Sequence, residues 1–301
     1  AARRQRYETM LEQADVRRAE VTQKLLKFKS DESVQEEQKK EEEAKLGKVQ
    51  ECLEAFSVQE KELQEQTRTE EEQERRLNQK LSSLQQDYHT NRTRLESMRN
   101  LAERYDGSNP NYGKVSNWVI GNEVNNQKDW NYMGPMDLTN YVRTYLKAFR
   151  VFYTAIKTAS ASDRVYISLD YNWNNEIDGK LKYGGKNIVD SFNSIANVEG
   201  QFDWGLAYHP YPYPMTEPEF WDGDQSGLVT NDFNSPIINF KNLNTLTDYF
   251  AQETLRTPAG HVRHIILTEQ GFTAKSLTRG DVPYIQAAAF AYSYYLVDSN
   301  P

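Results

Sequence analysis

The sequence predicts an α/β protein with parallel strands, preceded by a long helical arm, and three observations carry that reading. Composition changes abruptly near Gly107: all ten prolines and all five tryptophans lie after it, and of the 19 tyrosines only Tyr7, Tyr88 and Tyr105 lie before it. Ahead of Gly107 a heptad pattern runs through a stretch dominated by Glu, Gln, Lys, Arg and Leu. Beyond it, short apolar runs alternate with helical patterns, and several of those runs end in polar groups. Residues 1–107 therefore read as a coiled-coil helical arm and residues 108–301 as a separate α/β segment.

In the arm, one register with core positions alternately three and four residues apart holds without a stutter from Leu11 to Met98. It places Leu11, Ala14, Val21, Leu25 and Phe28 on the seam, then Leu46, Val49, Leu53, Phe56 and Leu63, then Leu77, Leu81, Leu84, Tyr88, Leu95 and Met98. Arg18, Glu32, Lys39, Glu42, Glu60, Glu70, Glu74 and Asn91 fall on the same seam. An apolar stripe so interrupted should depend on a complementary partner helix, because a lone helix of this kind is marginal in water. A solvated charged helix without a partner is the alternative. Ser30-Asp31 and Gly47 are the plausible breaks.

In the second segment the pattern predicts strands near 117–122, 164–170, 203–209 and 263–269, and helices near 137–159, 185–197, 242–256 and 283–298. Strand, helix, strand, helix implies right-handed parallel crossovers. The helix at 137–159 carries Leu138, Tyr141, Val142, Tyr145, Leu146, Phe149, Val151, Phe152 and Ile156 on a broad apolar face. A long loop rich in Pro, Asp, Gly and aromatics, from Tyr211 to Lys241, follows the third strand at the end where functional loops sit.

Three strand ends are chemically distinctive. Trp118-Val119-Ile120 leads to Gly121-Asn122-Glu123, Leu206-Ala207-Tyr208 to His209-Pro210-Tyr211, and Ile265-Ile266-Leu267 to Thr268-Glu269. Cleaving a glycosidic bond needs one carboxyl group to protonate the leaving oxygen and a second to attack or assist from the other face of the sugar. Glu123 and Glu269 are the natural pair. Asp170 and Asn172, at the end of the second strand, could line the same cleft. Tyr208, Tyr211, Tyr213, Trp173 and Trp221 could stack on sugar faces or be ordinary core. His261 and His264 have no carboxylate or Cys at ligand spacing, so no metal is expected. No Walker A loop and no G-x-G-x-x-G loop appears, so no nucleotide cofactor is expected either.

Composition sets wider bounds. With 36 basic against 44 acidic residues the net charge is −8, and no basic excess points to nucleic acid. The single cysteine, Cys52, excludes an internal disulfide framework. No apolar run is long enough to suggest a membrane span, and no export signal opens the chain. The sequence begins Ala1-Ala2-Arg3-Arg4 and stops at Ser299-Asn300-Pro301 straight after a helical pattern, so both ends read as cut.

Two resemblances sharpen these expectations. Leu84-Gln85-Gln86-Asp87-Tyr88 and the run from Arg94 to Asp106-Gly107 resemble the arm of a bacterial structural-maintenance-of-chromosomes (SMC) ATPase just before its hinge. That resemblance implies a structural, cytoplasmic coiled coil, and it brings no ATPase or DNA-binding machinery with it. Residues 111–301 resemble a clan of retaining barrel glycosidases, and more narrowly a bacterial glycosidase-like family whose substrate is uncharacterised. The segments Trp-Val-Ile-Gly-Asn-Glu-Val-Asn, Tyr-His-Pro-Tyr-Pro and Ile-Leu-Thr-Glu-Gln-Gly carry the likeness. It implies strands four to seven of a TIM (β/α)8 barrel and a carbohydrate substrate, in a family that could be secreted. Glu123 would be the acid/base and Glu269 the nucleophile, Asn122 would hold the sugar 2-hydroxyl, and His209 or Tyr211 would partner the nucleophile. A partial barrel of this kind is expected to leave two sheet edges and one sheet face unprotected, to be marginally stable or aggregation-prone, to bind sugar poorly and, as truncated, to be inactive. A third reading takes the chain as an artificial join of two gene fragments.

Overall fold

The computed structural model describes residues 2–222 and 226–300. Residues 223–225 of the loop predicted between Tyr211 and Lys241 fall outside them, as do Ala1 and Pro301. The chain divides into two compact units, Ala1–Gln85 and Gln86–Pro301.

One helix, α1 (Ala2–Arg104), makes up the described part of the first unit and opens the second. Its Glu, Lys, Gln, Arg and Leu are good helix formers. Pairs one turn apart, among them Lys45 with Glu41 at 2.8 Å and Arg99 with Glu103 at 2.7 Å, add a few tenths of a kcal/mol each. Neither Ser30-Asp31 nor Gly47 breaks it. A Cβ on Gly47 would meet nothing within 4 Å, so this glycine adds backbone freedom but no distortion. The apolar seam of the first unit is open to solvent: Leu25, Phe28, Leu53, Phe56 and Leu63 are all exposed.

The second unit takes in more of α1 than composition suggests, because Met98 and Ala102 already pack in its core. Strands β1 (Asn117–Ile120), β2 (Arg164–Leu169), β3 (Gly205–Tyr208) and β4 (Ile265–Leu267) form one parallel sheet in sequence order. Between them run α2 (Leu138–Ala159), α3 (Gly185–Glu199) and α4 (Leu243–Phe250), and a two-residue hairpin, β5 (Lys275–Ser276) with β6 (Gly280–Asp281), precedes α5 (Pro283–Asp298). The helix expected at 242–256 is divided into a 3-10 turn at Phe240–Asn242, α4, and a second 3-10 turn at Glu253–Leu255. The hairpin was not anticipated, since two-residue strands leave no periodicity to read.

Each element follows from local chemistry. Asp137 starts α2 by accepting the Asn140 amide at 2.9 Å, and the helix then buries Tyr141, Val142, Tyr145, Leu146, Phe149 and Ile156. Strand residues alternate between two faces. Val165, Ile167, Leu169, Leu206 and Tyr208 join the helices in the core. Tyr166, Ser168, Gly205, Ala207 and His209 point the other way. Gly205 makes this second face possible, because a Cβ there would sit 2.5 Å from the Tyr166 ring and 2.8 Å from the His264 carbonyl oxygen.

At the opposite end of the sheet the buried Arg263 ties β4 to its surroundings. Its guanidinium donates to the carbonyls of Leu255, Trp204, Phe202 and Arg256 and lies 4.2 Å from the Trp204 ring. Burial pushes its pKa down to about 10.

The expectation of a wholly unprotected sheet face is corrected. β2 is buried from Val165 to Leu169 and β3 throughout, because Tyr166 and its neighbours fill the face away from the helices. The outer strands β1 and β4 are half-open, and α5 buries only Ala289 and Ser293 while presenting Tyr284, Tyr294 and Tyr295 to solvent. Among the described residues β1 and β4 are open edges. No described helix is long and apolar enough to cross a membrane.

Because the Tyr166 ring occupies the space of the missing side chain, Gly205→Ala should destabilise the second unit by about 1–3 kcal/mol. Urea denaturation of the two proteins, followed by tryptophan fluorescence, measures the difference; an unchanged midpoint would contradict this packing.

Candidate active site

The parallel register sets Ile120 beside Ile167, Leu169 beside Tyr208, and Tyr208 beside Leu267. The residues that follow these pairs therefore emerge together at the C-terminal end of the sheet, where ligands of parallel sheets bind.

His209 sits at the centre, buried to 2% exposure. Its Nδ1 is 2.9 Å from Glu123 Oε1, and its Nε2 is 3.1 Å from Thr268 Oγ1 and 3.5 Å from Ser168 Oγ. With Glu123 Oε1 as the acceptor, whether or not the other oxygen carries a proton, the ring proton sits on Nδ1 and Nε2 is left to accept from a hydroxyl. Glu269 Oε2 lies 3.7 Å from the same Nδ1. One oxygen of Glu123, one oxygen of Glu269 and one nitrogen of His209 all lie within 4.8 Å of one another. Such a donor set could hold a cation, but both nitrogens of His209 are already engaged within the protein, so the ring would have to give up one of these bonds to act as a ligand.

Glu123 is held by its backbone. Gly121 has a φ of 84°, and Glu123 itself adopts a φ of 41°, in the left-handed region that a side chain rarely occupies. The Glu123 amide donates to Ser168 Oγ at 3.1 Å and the Val124 amide to the Ser168 carbonyl at 2.8 Å, so β2 fixes the turn that follows β1. Strain of this kind costs about 1–3 kcal/mol and marks a residue placed for something other than stability.

The two carboxylates differ in setting. The Glu123 side chain is 12% exposed and that of Glu269 is 50% exposed. Tyr211 donates its hydroxyl to Glu269 Oε1 at 2.8 Å. Burial first, and then the neighbouring Glu269, push the phenol up to about 12, so Tyr211 remains a donor across the neutral range.

The other expected site residues fall in several places. Asn122 stands half-buried beside Glu123, with no hydrogen-bond partner among the described residues. Asp170 is buried one step back, where it accepts from the Asn125 side-chain amide and from both the backbone and side chain of Asn172, while its own amide donates to Asn125 Oδ1. Burial raises its pKa, with those hydrogen bonds opposing the rise. Asp170 thus clamps the loop after β1 to the end of β2, and the nearby Glu123 adds to the rise in its pKa.

Trp173 is corrected outright. It is fully buried, its indole N–H donates to the Phe233 carbonyl, and its ring packs edge-on against Tyr249, because the segment around 233–238 folds back over it. Tyr208 is buried in the same way, with its hydroxyl on the Ile238 carbonyl. Trp221 packs on Phe220 and Tyr292. Of the aromatics considered, Tyr211 and Tyr213 remain near the rim, the latter 6.3 Å from Tyr171. Sequence reasoning gave no role to Ser168, Thr268 and Asn125; the available signal was their place at strand ends.

The chain belongs to a family of unknown function, DUF5722, whose model matches residues 17–301. The matched span crosses Gly107, so one family model covers parts of both compositional segments. No curated protein matches the chain, and no solved structure does.

Since Glu123 occupies a backbone conformation that favours glycine, Glu123→Gly should be more stable than Glu123→Ala by about 1 kcal/mol, although both lose the carboxylate. Thermal melts of the two variants decide it, and an Ala variant at least as stable as the Gly variant would remove the strain from this account.

Proposed function

We propose that the second unit is the strand-four-to-seven part of a (β/α)8 barrel and acts as a retaining glycoside hydrolase on a carbohydrate substrate. The single observation that carries this reading is that one oxygen of Glu123 and one of Glu269, from the ends of the two outer strands, lie within 4.8 Å of each other around one buried histidine. Carboxyl groups about 5–5.5 Å apart suit double displacement, whereas inversion needs room for a water between them. Four parallel strands in sequence order, with each candidate side chain after the C-terminal end of its strand, support the same reading.

The chemistry assigns each group a step. Glu269, the more open carboxylate, attacks the anomeric carbon, while protonated Glu123 gives its proton to the departing glycosidic oxygen. The resulting glycosyl ester at Glu269 is then cleaved by water, and Glu123 takes the water proton and returns to its starting form. Tyr211 orients Glu269 through Oε1, and His209 holds Glu123 through Nδ1. Asn122, half-buried beside Glu123, would meet the 2-hydroxyl. Four strands provide half the loops of a full rim, so sugar affinity and turnover should be low.

A 2-deoxy-2-fluoro glycosyl fluoride panel tests the covalent step. One fluoroglycosyl unit should add to the intact mass and map to Glu269, and Glu269→Gln should take up none. Labelling of a different residue, or of none by any sugar in the panel, would sink the nucleophile assignment.

A second reading, the structural coiled-coil arm, is favoured by a separate observation: the apolar seam of α1 in the first unit is exposed along its length. If α1 is such an arm, its helicity by circular dichroism should rise with association. Helicity independent of any partner or concentration would count against it.

A further inference from the structure

We propose that the occupant of the α1 seam is α1 of a second copy of this chain, running antiparallel, with Leu53 opposite Phe56 of the second copy. The proposal rests on reading α1 as a coiled-coil arm, and the seam itself selects the partner. Its apolar blocks are arranged almost symmetrically about the segment between Leu53 and Phe56. In this register Leu46 meets Leu63 of the second copy, Leu25 meets Leu84, and Phe28 meets Leu81, and two-fold symmetry makes every pair twice. All of these residues are exposed in the single chain, so the seam is free to dock.

Charge decides between the two orientations. In a parallel pair in register each seam residue faces its own copy, so Glu32, Lys39, Glu42, Glu60, Glu70 and Glu74 would each meet an identical charge. The flanking positions would add Lys24 against Lys29 and Asp31 against Glu36. The antiparallel register sets Lys39 opposite Glu70 and Asp31 beside Lys80 of the second copy. It leaves Glu32 facing Leu77 and Glu60 facing Val49, where the long side chains can reach past the seam to water, and it brings Glu36 near Glu71. Two like-charge contacts at the flanks, this one and Arg17 near Arg94, replace a column of them on the seam, which is how such helices choose orientation.

The native cysteine makes the register measurable. Cys52 flanks the seam, and the antiparallel register brings it beside Gln59 of the second copy. The full chain should sediment as a dimer, and Gln59→Cys should give a covalent dimer on mild oxidation, whereas Gln59→Cys combined with Cys52→Ser should not. Lys39→Glu should weaken dimerisation about tenfold, and adding Glu70→Lys should restore it, because the swap rebuilds the pair only in the antiparallel register.

Self-cross-linking of Phe28→Cys in a Cys52→Ser background would mean parallel helices, because the antiparallel register holds the two copies of residue 28 at opposite ends of the pair, and would overturn the proposal. A monomeric chain whose helicity rises only with a different added helix would overturn the second copy as partner while leaving the arm reading intact. A monomeric chain that is fully helical at all concentrations would overturn both.

Discussion

One buried imidazole holds the candidate site together. His209 projects from the end of β3 and touches groups from every other strand: Glu123 beyond β1, Ser168 on β2 and Thr268 beyond β4. A buried polar ring without partners would be expensive, so its bonds to Glu123 and Thr268, with the longer Ser168 contact, make the relative height of the four strand ends a condition of stability. The carboxylate pair inherits its spacing from that condition. Gly205 serves the same end from below, since only a strand without a side chain at that point lets Tyr166 fill the face beneath the site.

What was legible in the sequence was whatever a period or a strand end records. The four apolar runs and the helices between them stand close to where the pattern put them. β2 and β3, buried on both faces, must be short continuous apolar runs, and β1 and β4 follow from their apolar residues and the helical patterns between. Glu123, His209 and Glu269 were visible as the polar residues ending those runs, and the structure brings all three together. Trp173 was not assignable by the same logic. An aromatic residue just past a strand end lies in the core or on the rim according to the chain that returns over it, and here the segment carrying Phe233 and Pro236 does so from some sixty residues away. The clamp between Asp170 and Asn125 and the turn held by Ser168 are likewise contacts between distant residues of ordinary type, with no local signature.

The exposed surfaces carry the same lesson in reverse. α5 is largely apolar, yet among the described residues it fully buries only Ala289 and Ser293, with Phe290, Tyr292 and Leu296 packing part-exposed against the core. The seam of α1 reads as a coiled coil because its period is right, and its apolar residues stand in solvent. In both elements the pattern records what the helix is suited to pack against, and hydrophobic burial supplies the reason to find it.

The stereochemistry of hydrolysis tests the central claim most directly. With an activated aryl glycoside, proton NMR of the first sugar released, before mutarotation, reads the configuration of the anomeric carbon. Two carboxylates acting in succession at the observed spacing predict release with the configuration of the substrate. Release of the opposite anomer would contradict the account, because it would require a water between groups that stand too close to admit one.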